Sequence, residues 1–311
     1  MHRIKVIKIS CFINRSLSPV LQAAFKNLNL NHTHRQAGRS IILRDNVGLK
    51  KIFHDTSFQE MPIDIFEFYT TIEHEQAIIK TIVQITRLDI PGRGSIFSQN
   101  IELISGELLN FSQPNRDILS DIHIPIKNDL IGICCIVQRN QSNPLIRSIL
   151  NFGITVPIIT YGEGTGLRDK LGLLRITIPA EKDIIRMVVE SSDVENIIKI
   201  LISVGQLDKP GKGFIYLYKL RQGLIDTKIF TGKSNNPASL EQVIIAIDSI
   251  KGSTDWRKLN SSQKDNRFNK IRYLENLSGF TIICNEGFAK NLVKVSMNVG
   301  AAGATISKLS Y

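Results

Sequence analysis

Two short motifs that combine glycine with arginine or lysine each occur twice in this chain, in the same order. The first is Leu-Arg-Asp-x-x-Gly-Leu, at 43–49 and 167–173, which contains Arg44 in one copy and Arg168 in the other. Both copies lie in predicted connections of about 20 to 25 residues. The second is Pro-Gly-basic-Gly, at 91–94 and 210–213. Two glycines around a basic side chain leave backbone N–H groups approachable beside a positive charge, which suits phosphate or carboxylate. The duplicated motifs therefore predict loops that receive an anionic ligand.

Both motifs also have a structural interpretation, which stays open at this point. A Pro-Gly-x-Gly sequence can simply turn the chain from a helix into a strand. Arg168 could equally pair with Asp169 and hold the shape of its own loop. The ligand interpretation gains weight because both copies of the second motif keep arginine or lysine between the glycines.

The repetition extends beyond the motifs to whole structural units. Residues 130–160 align without gaps on 277–307, and each copy predicts an apolar strand, a helix and a second strand. Residues 6–37 predict the same order, with Ser18 and Pro19 opening the helix. In the copies that begin at residues 6 and 130 the pattern continues. A third strand is predicted at 63–71 or 184–190, a second helix at 75–86 or 194–204, and a fourth strand at 95–101 or 214–220.

The complete unit has the order β-α-β-loop-β-α-β. Its predicted fold class is α+β, with tandem ferredoxin-like (βαββαβ) sandwiches. Three units in one chain also suggest an internal pseudo-trimer that replaces three separate subunits. The predicted boundaries are a first unit at 1–103, a linker at 104–127, a second unit at 128–221, and a partial third unit at 222–311 that consists of an extra helix at 239–250 and one βαβ segment.

The composition and the N-terminal residues favour a globular cytoplasmic protein. The chain has 311 residues, 42% of them hydrophobic, which is close to the usual fraction for globular proteins. No apolar run approaches the roughly 20 residues of a membrane span, and residues 1–8 alternate charged and apolar side chains as a strand does. The four cysteines all fall in predicted buried strands, where they are expected to act as small hydrophobic residues; they are Cys11, Cys134, Cys135 and Cys284.

The net charge of +11 is spread along the chain, apart from a basic stretch at 251–272. This stretch is either a solvated linker face or a docking patch for an acidic partner. Its aromatic residues are too sparse for a base-stacking platform, so nucleic acid is not an expected partner. No constellation of acids, bases or metal ligands stands out, so the chain is predicted not to be an enzyme and to require no metal or cofactor.

The units and their loops resemble the PII family of signalling proteins and its PII-like relatives. In that family the unit carries a long T-loop between strands two and three, and a glycine-rich B-loop between helix two and strand four. The T-loop positions match 38–62 and 162–182 of this chain, and the B-loop positions match 88–94 and 207–213. The resemblance covers nearly all of two units and half of the third.

This resemblance implies a regulatory function, with nitrogen regulation as one such pathway. Family members are trimers that bind ATP or ADP between subunits, and the ligand reshapes a T-loop that docks onto an enzyme, a transporter or a regulator. The resemblance implies ligand-binding roles for Gly162, Gly164 and Thr165 at one T-loop base, and for Gly211, Lys212 and Gly213 in the B-loop of that unit. In the first unit the matching residues are Gly38, Arg39 and Ser40, together with Gly92, Arg93 and Gly94.

The expected function is a non-enzymatic regulator that binds a small anionic effector, such as ATP, ADP or AMP, in clefts between units and controls a partner protein through its loops. Ser95 and Phe214 replace the lysine that follows the B-loop glycines in the family, and this departure favours an alternative, a degenerate scaffold that binds no nucleotide. An enzyme acting on a phosphorylated metabolite in the same cleft is a second alternative. Because the third unit is truncated, the chain could also form a homo-oligomer.

Overall fold

The computed structural model describes residues 3–30, 32–44, 57–104, 124, 126–152, 155–166, 180–209, 211–226, 247–248 and 273–310. Several sequence predictions fall outside these residues. They include the role of Arg168, the basic stretch 251–272, most of the linker 104–127, and the extra helix at 239–250 apart from residues 247–248.

The first unit has the predicted order of strands and helices. Its first strand alternates side chains between the two faces of the sheet, so that Ile7, Ile9, Cys11 and Ile13 are all buried on the face that the helices cover. Pro19 lies in the first turn of the first helix, where its missing N–H leaves no hydrogen bond unmade. The elements are β1 Ile4–Asn14, α1 Ser18–Asn27, β2 His34–Arg44, β3 Ser57–Thr70, α2 Ile72–Thr86 and β4 Gly94–Leu103.

The second unit repeats this order. Its second helix places Ile197, Ile198 and Leu201 in the core at helical spacing, as the sequence predicts. The elements are β5 Leu130–Gln138, α3 Ser142–Phe152, β6 Ile158–Gly166, β7 Glu181–Glu190, α4 Val194–Gly205 and β8 Gly213–Lys219. The predicted elements of both units are therefore confirmed.

The strands form one large antiparallel sheet, so the α+β prediction is confirmed. The described strands follow the order β8-β5-β7-β6-β2-β3-β1-β4-β9, where β9 is Gly223–Leu224, and β10 (Gly303–Ile306) pairs with β6 off this path. Within each unit the first strand lies between the third and the fourth. The two units join where β2 pairs with β6.

Three strand contacts link the units in equivalent registers. Arg39 of β2 pairs with Ile159 of β6, and Glu163, which occupies the position of Arg39 in the second unit, pairs with Ile306 of β10. The sequence repeat aligns Ile306 on Ile159. A bridge between Arg35 and Ser310 returns from the C-terminal residues to β2. The second strands of the three copies thus contact one another in turn, and the contacts close a ring.

Hydrophobic clusters of described residues stabilise this arrangement, and three of them are large. The first lies between β1, β3 and the helices of the first unit, and the second is its counterpart in the second unit. A third cluster joins the units on the opposite face of the sheet, where Phe12 and Phe97 meet edge to face at 4.9 Å between ring centroids and pack with Val188 and Leu220. Each fully buried aliphatic side chain in these clusters contributes about 2 kcal/mol relative to exposure.

The third copy departs from its prediction. Its helix, α5 Ala289–Asn298, and its second strand, β10, are present, which confirms those two elements. The strand predicted near 277–284 is wrong, because the described residues 273–288 contain no strand. Cys284 is exposed rather than buried, whereas Cys11, Cys134 and Cys135 are buried as predicted. The physical reason is that β5 is held between β7 and β8 in the second unit, whereas no described strand pairs with residues 273–288.

Among the residues that the structure describes, no helix is both long and apolar enough to cross a membrane.

Candidate functional site

The two Gly-basic-Gly turns have the same backbone geometry. Gly92 and Gly211 have φ of 81° and 82°, and Gly94 and Gly213 have φ of 139° and 146°. A Cβ atom on Gly94 would lie 2.0 Å from the carbonyl oxygen of Phe12, and one on Gly213 would lie 2.3 Å from that of Ile136. The turn conformation alone therefore requires these glycines, as the structural interpretation of the motif expects.

The N–H group of the first turn already binds a carboxylate from a distant part of the chain. The backbone N–H of Gly92 donates to Oδ1 of Asp226 at 2.6 Å. Asp226 is held in place because its own N–H donates to Oγ of Ser95 at 2.8 Å and because β9, just before it, pairs with β4. This turn binds an anion, and the anion is part of the protein.

Arg93, predicted to contact the ligand, points back to its own helix instead. Its Nε donates to the carbonyl oxygen of Thr86 at 3.0 Å, at the C-terminus of α2. That helix ends at Arg87 in the left-handed conformation, with φ of 54°. The side chain of Arg93 therefore caps the last turn of the helix, where a positive charge is favourable.

The second turn is more open. Lys212 is exposed, and no described residue pairs with its side chain or accepts from the N–H of Gly211. The only side-chain hydrogen bond to this turn from a described residue joins Nε2 of Gln138 to the carbonyl oxygen of Gly211 at 3.1 Å. With respect to the described residues, the N–H of Gly211 and the ammonium group of Lys212 are thus both available to an external anion.

The glycines at the two predicted loop bases lie at contacts between units. A Cβ on Gly38 would be 2.9 Å from the carbonyl oxygen of Ile159, and one on Gly162 would be 2.8 Å from that of Ile306. Farther along β6, Gly164 packs on the side chain of Lys182, and Thr165 pairs with Ala304. In the first unit, Ser40 pairs with Ile158, and Arg44 is the last residue of β2. Glycine at 38 and 162 therefore permits neighbouring strands to approach closely.

A cluster of two arginines and a tyrosine lies at the contact between the first two units. We call it the seam cluster: Tyr161 of β6, Arg39 of β2, and Arg139, which follows β5. The guanidinium carbon of Arg139 lies 4.0 Å from the ring centroid of Tyr161, and that of Arg39 lies 5.9 Å away. The Tyr161 ring is therefore flanked by cations from both units, and its 37% exposure leaves the cluster open to solvent.

The two arginines are only partly neutralised. Arg39 forms an ion pair with Glu60, but its Nε is buried without a hydrogen-bond partner among the described residues. Arg139 lies 3.7 Å from Oδ1 of Asp183, which is longer than an ordinary hydrogen bond. The seam cluster thus retains donors for a phosphate or carboxylate group.

Arg139 belongs to a buried arrangement that occurs in both units. Oγ of Ser18 donates to Asp64 at 2.6 Å, and Oγ of Ser142 donates to Asp183 at 2.7 Å. Asp64 is also bound by two arginines, Arg15 at 3.1 Å and Arg35 at 2.9 Å. In the second unit Ile159 replaces Arg35, so the only arginine that an ion pair joins to Asp183 among the described residues is Arg139. Sequence reasoning missed this arrangement, although aligning the first unit on the second would have matched Ser18 with Ser142.

The structure brings some of the predicted residues together at one end of the second unit. Val137 pairs with both Gly213 and Asp183, and Asp183 pairs with Tyr161, the residue before Gly162. The second turn and its loop base therefore share one end of the sheet, separated by three strand spacings or roughly 14 Å. Arg168 lies outside the described residues, as does the side chain of Arg44.

Comparisons with known proteins find little. No protein-family model and no curated protein matches the chain. One similar solved structure is that of PII from Arabidopsis thaliana bound to citrate, at 19% sequence identity and a TM-score of 0.25. The similarity covers 32% of this chain and 83% of that chain. At this TM-score the likeness carries no argument, and the resemblance to the PII family stays a prediction from the sequence.

Proposed function

We propose that this chain is a non-enzymatic regulator of PII-like type, built from tandem ferredoxin-like units as an internal pseudo-trimer. It binds a small anionic effector, an adenine nucleotide, at the contact between its first two units. Binding changes the long loops that begin at 38 and 162, and these loops control a partner protein.

The pseudo-trimer is supported by the ring of strand contacts. Three separate pairs, Arg39 with Ile159, Glu163 with Ile306 and Ser310 with Arg35, occupy equivalent positions of successive copies. Three identical subunits around a threefold axis would repeat one contact in the same way. Among the described residues the third copy contributes only α5 and β10, so its two contacts differ from the one between the first two units.

The observation that carries the effector proposal is the seam cluster. The partly exposed Tyr161 ring and the two guanidinium groups near it offer planar surfaces on which a base can stack, together with donors for phosphate. The open second turn, with Lys212, lies at the same end of the same sheet. A nucleotide combines both features, since its base is planar and its phosphates are anionic.

Isothermal titration of the full chain with ATP, ADP, AMP and cyclic AMP tests this proposal. We expect saturable binding of at least one of them, with Arg139→Gln and Lys212→Glu each weakening affinity about tenfold or more, as loss of a charge-assisted hydrogen bond does. Lys26 is exposed on α1, so Lys26→Gln is the matched control for Arg139→Gln and Lys26→Glu is the matched control for Lys212→Glu. No heat at millimolar nucleotide contradicts the proposal.

A second candidate function is a scaffold that binds no nucleotide and acts only through protein contacts. The hydrogen bond from Gly92 to Asp226 favours it, because one of the two turns already holds a carboxylate of the chain itself. The same titration separates the candidates, since a scaffold gives no saturable heat with any of the four nucleotides.

A further inference from the structure

The fourth strands of the two units differ in what covers their outer edge. In the first unit β9 pairs with β4, so that β4 is not at the edge of the sheet. In the second unit no described strand pairs with the outer edge of β8. The exposures differ accordingly: Ser95 is 9% exposed, Phe97 3% and Ser98 0%, whereas their counterparts Phe214, Tyr216 and Leu217 are 53%, 45% and 42% exposed.

The covered edge of β4 shows which groups bind to the outer edge of a fourth strand. The N–H of Ser98 donates to the carbonyl oxygen of Gln222 at 2.9 Å, and the N–H of Arg221 donates back to the carbonyl oxygen of Ser98 at 2.9 Å. Leu224 then lies opposite Ile96, and Asp226 reaches the N–H of Gly92. Residues 221–226 are therefore an added strand that ends in a carboxylate on the glycine turn.

The uncovered edge has the same backbone features. Gly94 lies opposite Ile13 as Gly213 lies opposite Val137, so Leu217 corresponds to Ser98 and Gly211 to Gly92. The N–H and C=O of Leu217 point away from β5, as those of Ser98 point away from β1 towards residues 221 and 222. A long, apolar, uncovered edge is a template for pairing with another chain.

We propose that β8 binds an extended segment of a partner protein as an added antiparallel strand, and that an aspartate or glutamate of this segment binds the N–H of Gly211 beside Lys212. The main-chain groups of Leu217 supply hydrogen bonds, as in other complexes formed by strand addition. The carboxylate reproduces the contact that Asp226 makes in the first unit. This interaction uses Lys212, which the proposed effector site also uses, but none of the three residues of the seam cluster.

Side chains around the edge define the partner further. In the first unit Glu75 is buried and binds Nε of Arg221 at 3.0 Å. Its counterpart in the second unit is Val194, which lines a groove of about 270 Å³ with Ile131, Leu217 and Lys219. Glu195 lines the same groove, but the position of Glu75 itself is taken by Val194. An aliphatic side chain fits against Val194 and the neighbouring Ile131 and Leu217. The partner segment therefore carries an apolar residue where residues 221–226 carry Arg221.

Charge argues for an acidic partner rather than a second copy of this chain. An antiparallel pairing of β8 with β8 of another copy would bring the Lys212 end of one strand beside the Lys219 end of the other. Like charges opposite each other destabilise a strand pair. A segment ending in a carboxylate instead meets Lys212 and the N–H of Gly211, which donates to no described residue, and this is complementary.

A designed peptide tests the proposal. It has the sequence of residues 220–226 with valine in place of Arg221, a blocked N-terminus and a blocked C-terminus, so that the aspartate is its only charge. We expect fluorescence polarisation to show saturable binding to the full chain, and about tenfold weaker binding when asparagine replaces the aspartate. Equal affinity for the two peptides, or no binding of either, overturns the proposal.

A variant of the protein gives an independent measurement. Leu217→Pro removes the outward N–H but no hydrogen bond to β5, and proline is tolerated at such a position of an edge strand. We expect this variant to lose peptide binding while circular dichroism and nucleotide titration stay as in the wild type. Leu217→Ala, which keeps the N–H, is the control and retains binding with reduced affinity.

The same variants test whether the peptide binds elsewhere and whether a second copy of this chain covers the edge of β8. If Leu217→Pro binds the peptide as well as the wild type, the segment does not add to β8 and the proposal fails. If sedimentation shows a dimer of the wild type that Leu217→Pro dissociates, a second copy occupies the edge and the proposal also fails.

Discussion

The two units carry the same glycine turn in two different surroundings. In the first, residues 221–226 cover the edge of β4 and place a carboxylate on the N–H of Gly92. In the second, Lys212 and the edge of β8 are exposed, and no described residue accepts from Gly211. A motif that is duplicated in sequence is thus not duplicated in use: the covered copy holds the fold together, and the uncovered copy is available to a ligand.

The largest expected effect comes from substituting the glycines that give both turns the same backbone conformation. Gly94→Ala and Gly213→Ala should each destabilise the chain by about 3 kcal/mol or more, because the new Cβ collides with a carbonyl oxygen at a positive φ. Urea unfolding measures this loss. Gly279→Ala is the control, since a Cβ there meets nothing within 4 Å. Unchanged stability of either turn variant would mean that the turn does not have this geometry.

The second prediction separates the two buried aspartates. Asp64→Ala should cost about 3 kcal/mol in the free energy of unfolding, because it leaves Arg15, Arg35 and Ser18 without their acceptor. Asp183→Ala should cost less, since only one hydroxyl makes a short hydrogen bond to it, while the backbone N–H of Ser142 at 3.4 Å and Arg139 at 3.7 Å are more distant. Thermal and urea unfolding of the pair give the comparison. Equal losses would show that the two arrangements are energetically the same.

A third prediction concerns removal of the carboxylate that binds the first glycine turn. Asp226→Ala should destabilise the chain by about 1 to 2 kcal/mol, because the N–H of Gly92 loses a charged acceptor. Asp226→Asn is the matched control, since its amide oxygen can still accept, and it should lose less. Urea unfolding distinguishes the two variants. If both are as stable as the wild type, the carboxylate does not hold the first turn.

The smallest effect is a dependence on pH at the contact between the units. Burial alone would raise the pKa of Glu67, but Lys8 and Arg186 and the hydrogen bond from Ser10 outweigh it and hold the pKa below its usual value of 4.5. A carboxyl group with a lowered folded pKa stabilises the fold above its unfolded pKa, and this stabilisation is lost as the pH falls through the folded pKa. Stability should therefore decrease below about pH 4.5.

Glu67→Gln provides the control for this dependence. It removes the titrating group, so the decrease in stability at acid pH should be smaller than in the wild type, while the stability at pH 7 falls by about 1 kcal/mol. Urea unfolding at a series of pH values measures both. Identical pH profiles of the two proteins would exclude Glu67 as the cause.

The sequence was sufficient to predict the helices, strands and turns that depend on residues close together in the chain. Helices and strands of the first two units follow from apolar periodicity, and the glycine turns follow from the duplicated motif. The strand predicted at 277–284 failed because an apolar alternation forms a strand only when neighbouring strands are present, and no described strand pairs with residues 273–288. The periodicity of a segment does not show whether a neighbouring strand is present to pair with it.

The different use of the two turns could not be predicted, because it depends on a contact between residues far apart in the chain. Asp226 lies 134 positions from Gly92, and nothing in the local sequence of either residue indicates the other. Arg139 and Tyr161 were missed for the same reason, since they belong to neither motif and meet only when β5, β7 and β6 lie side by side. Resemblance to a family identified loop bases but not these side chains.

The most direct test of the account is a crystal structure of the full chain grown with millimolar ATP. The account predicts a nucleotide at the contact of the first two units, against Tyr161 and within reach of Arg139 and Lys212, with Asp226 still bound at the first turn. A nucleotide that displaces Asp226 from Gly92, or density for ATP only at a distance from Tyr161, would contradict it.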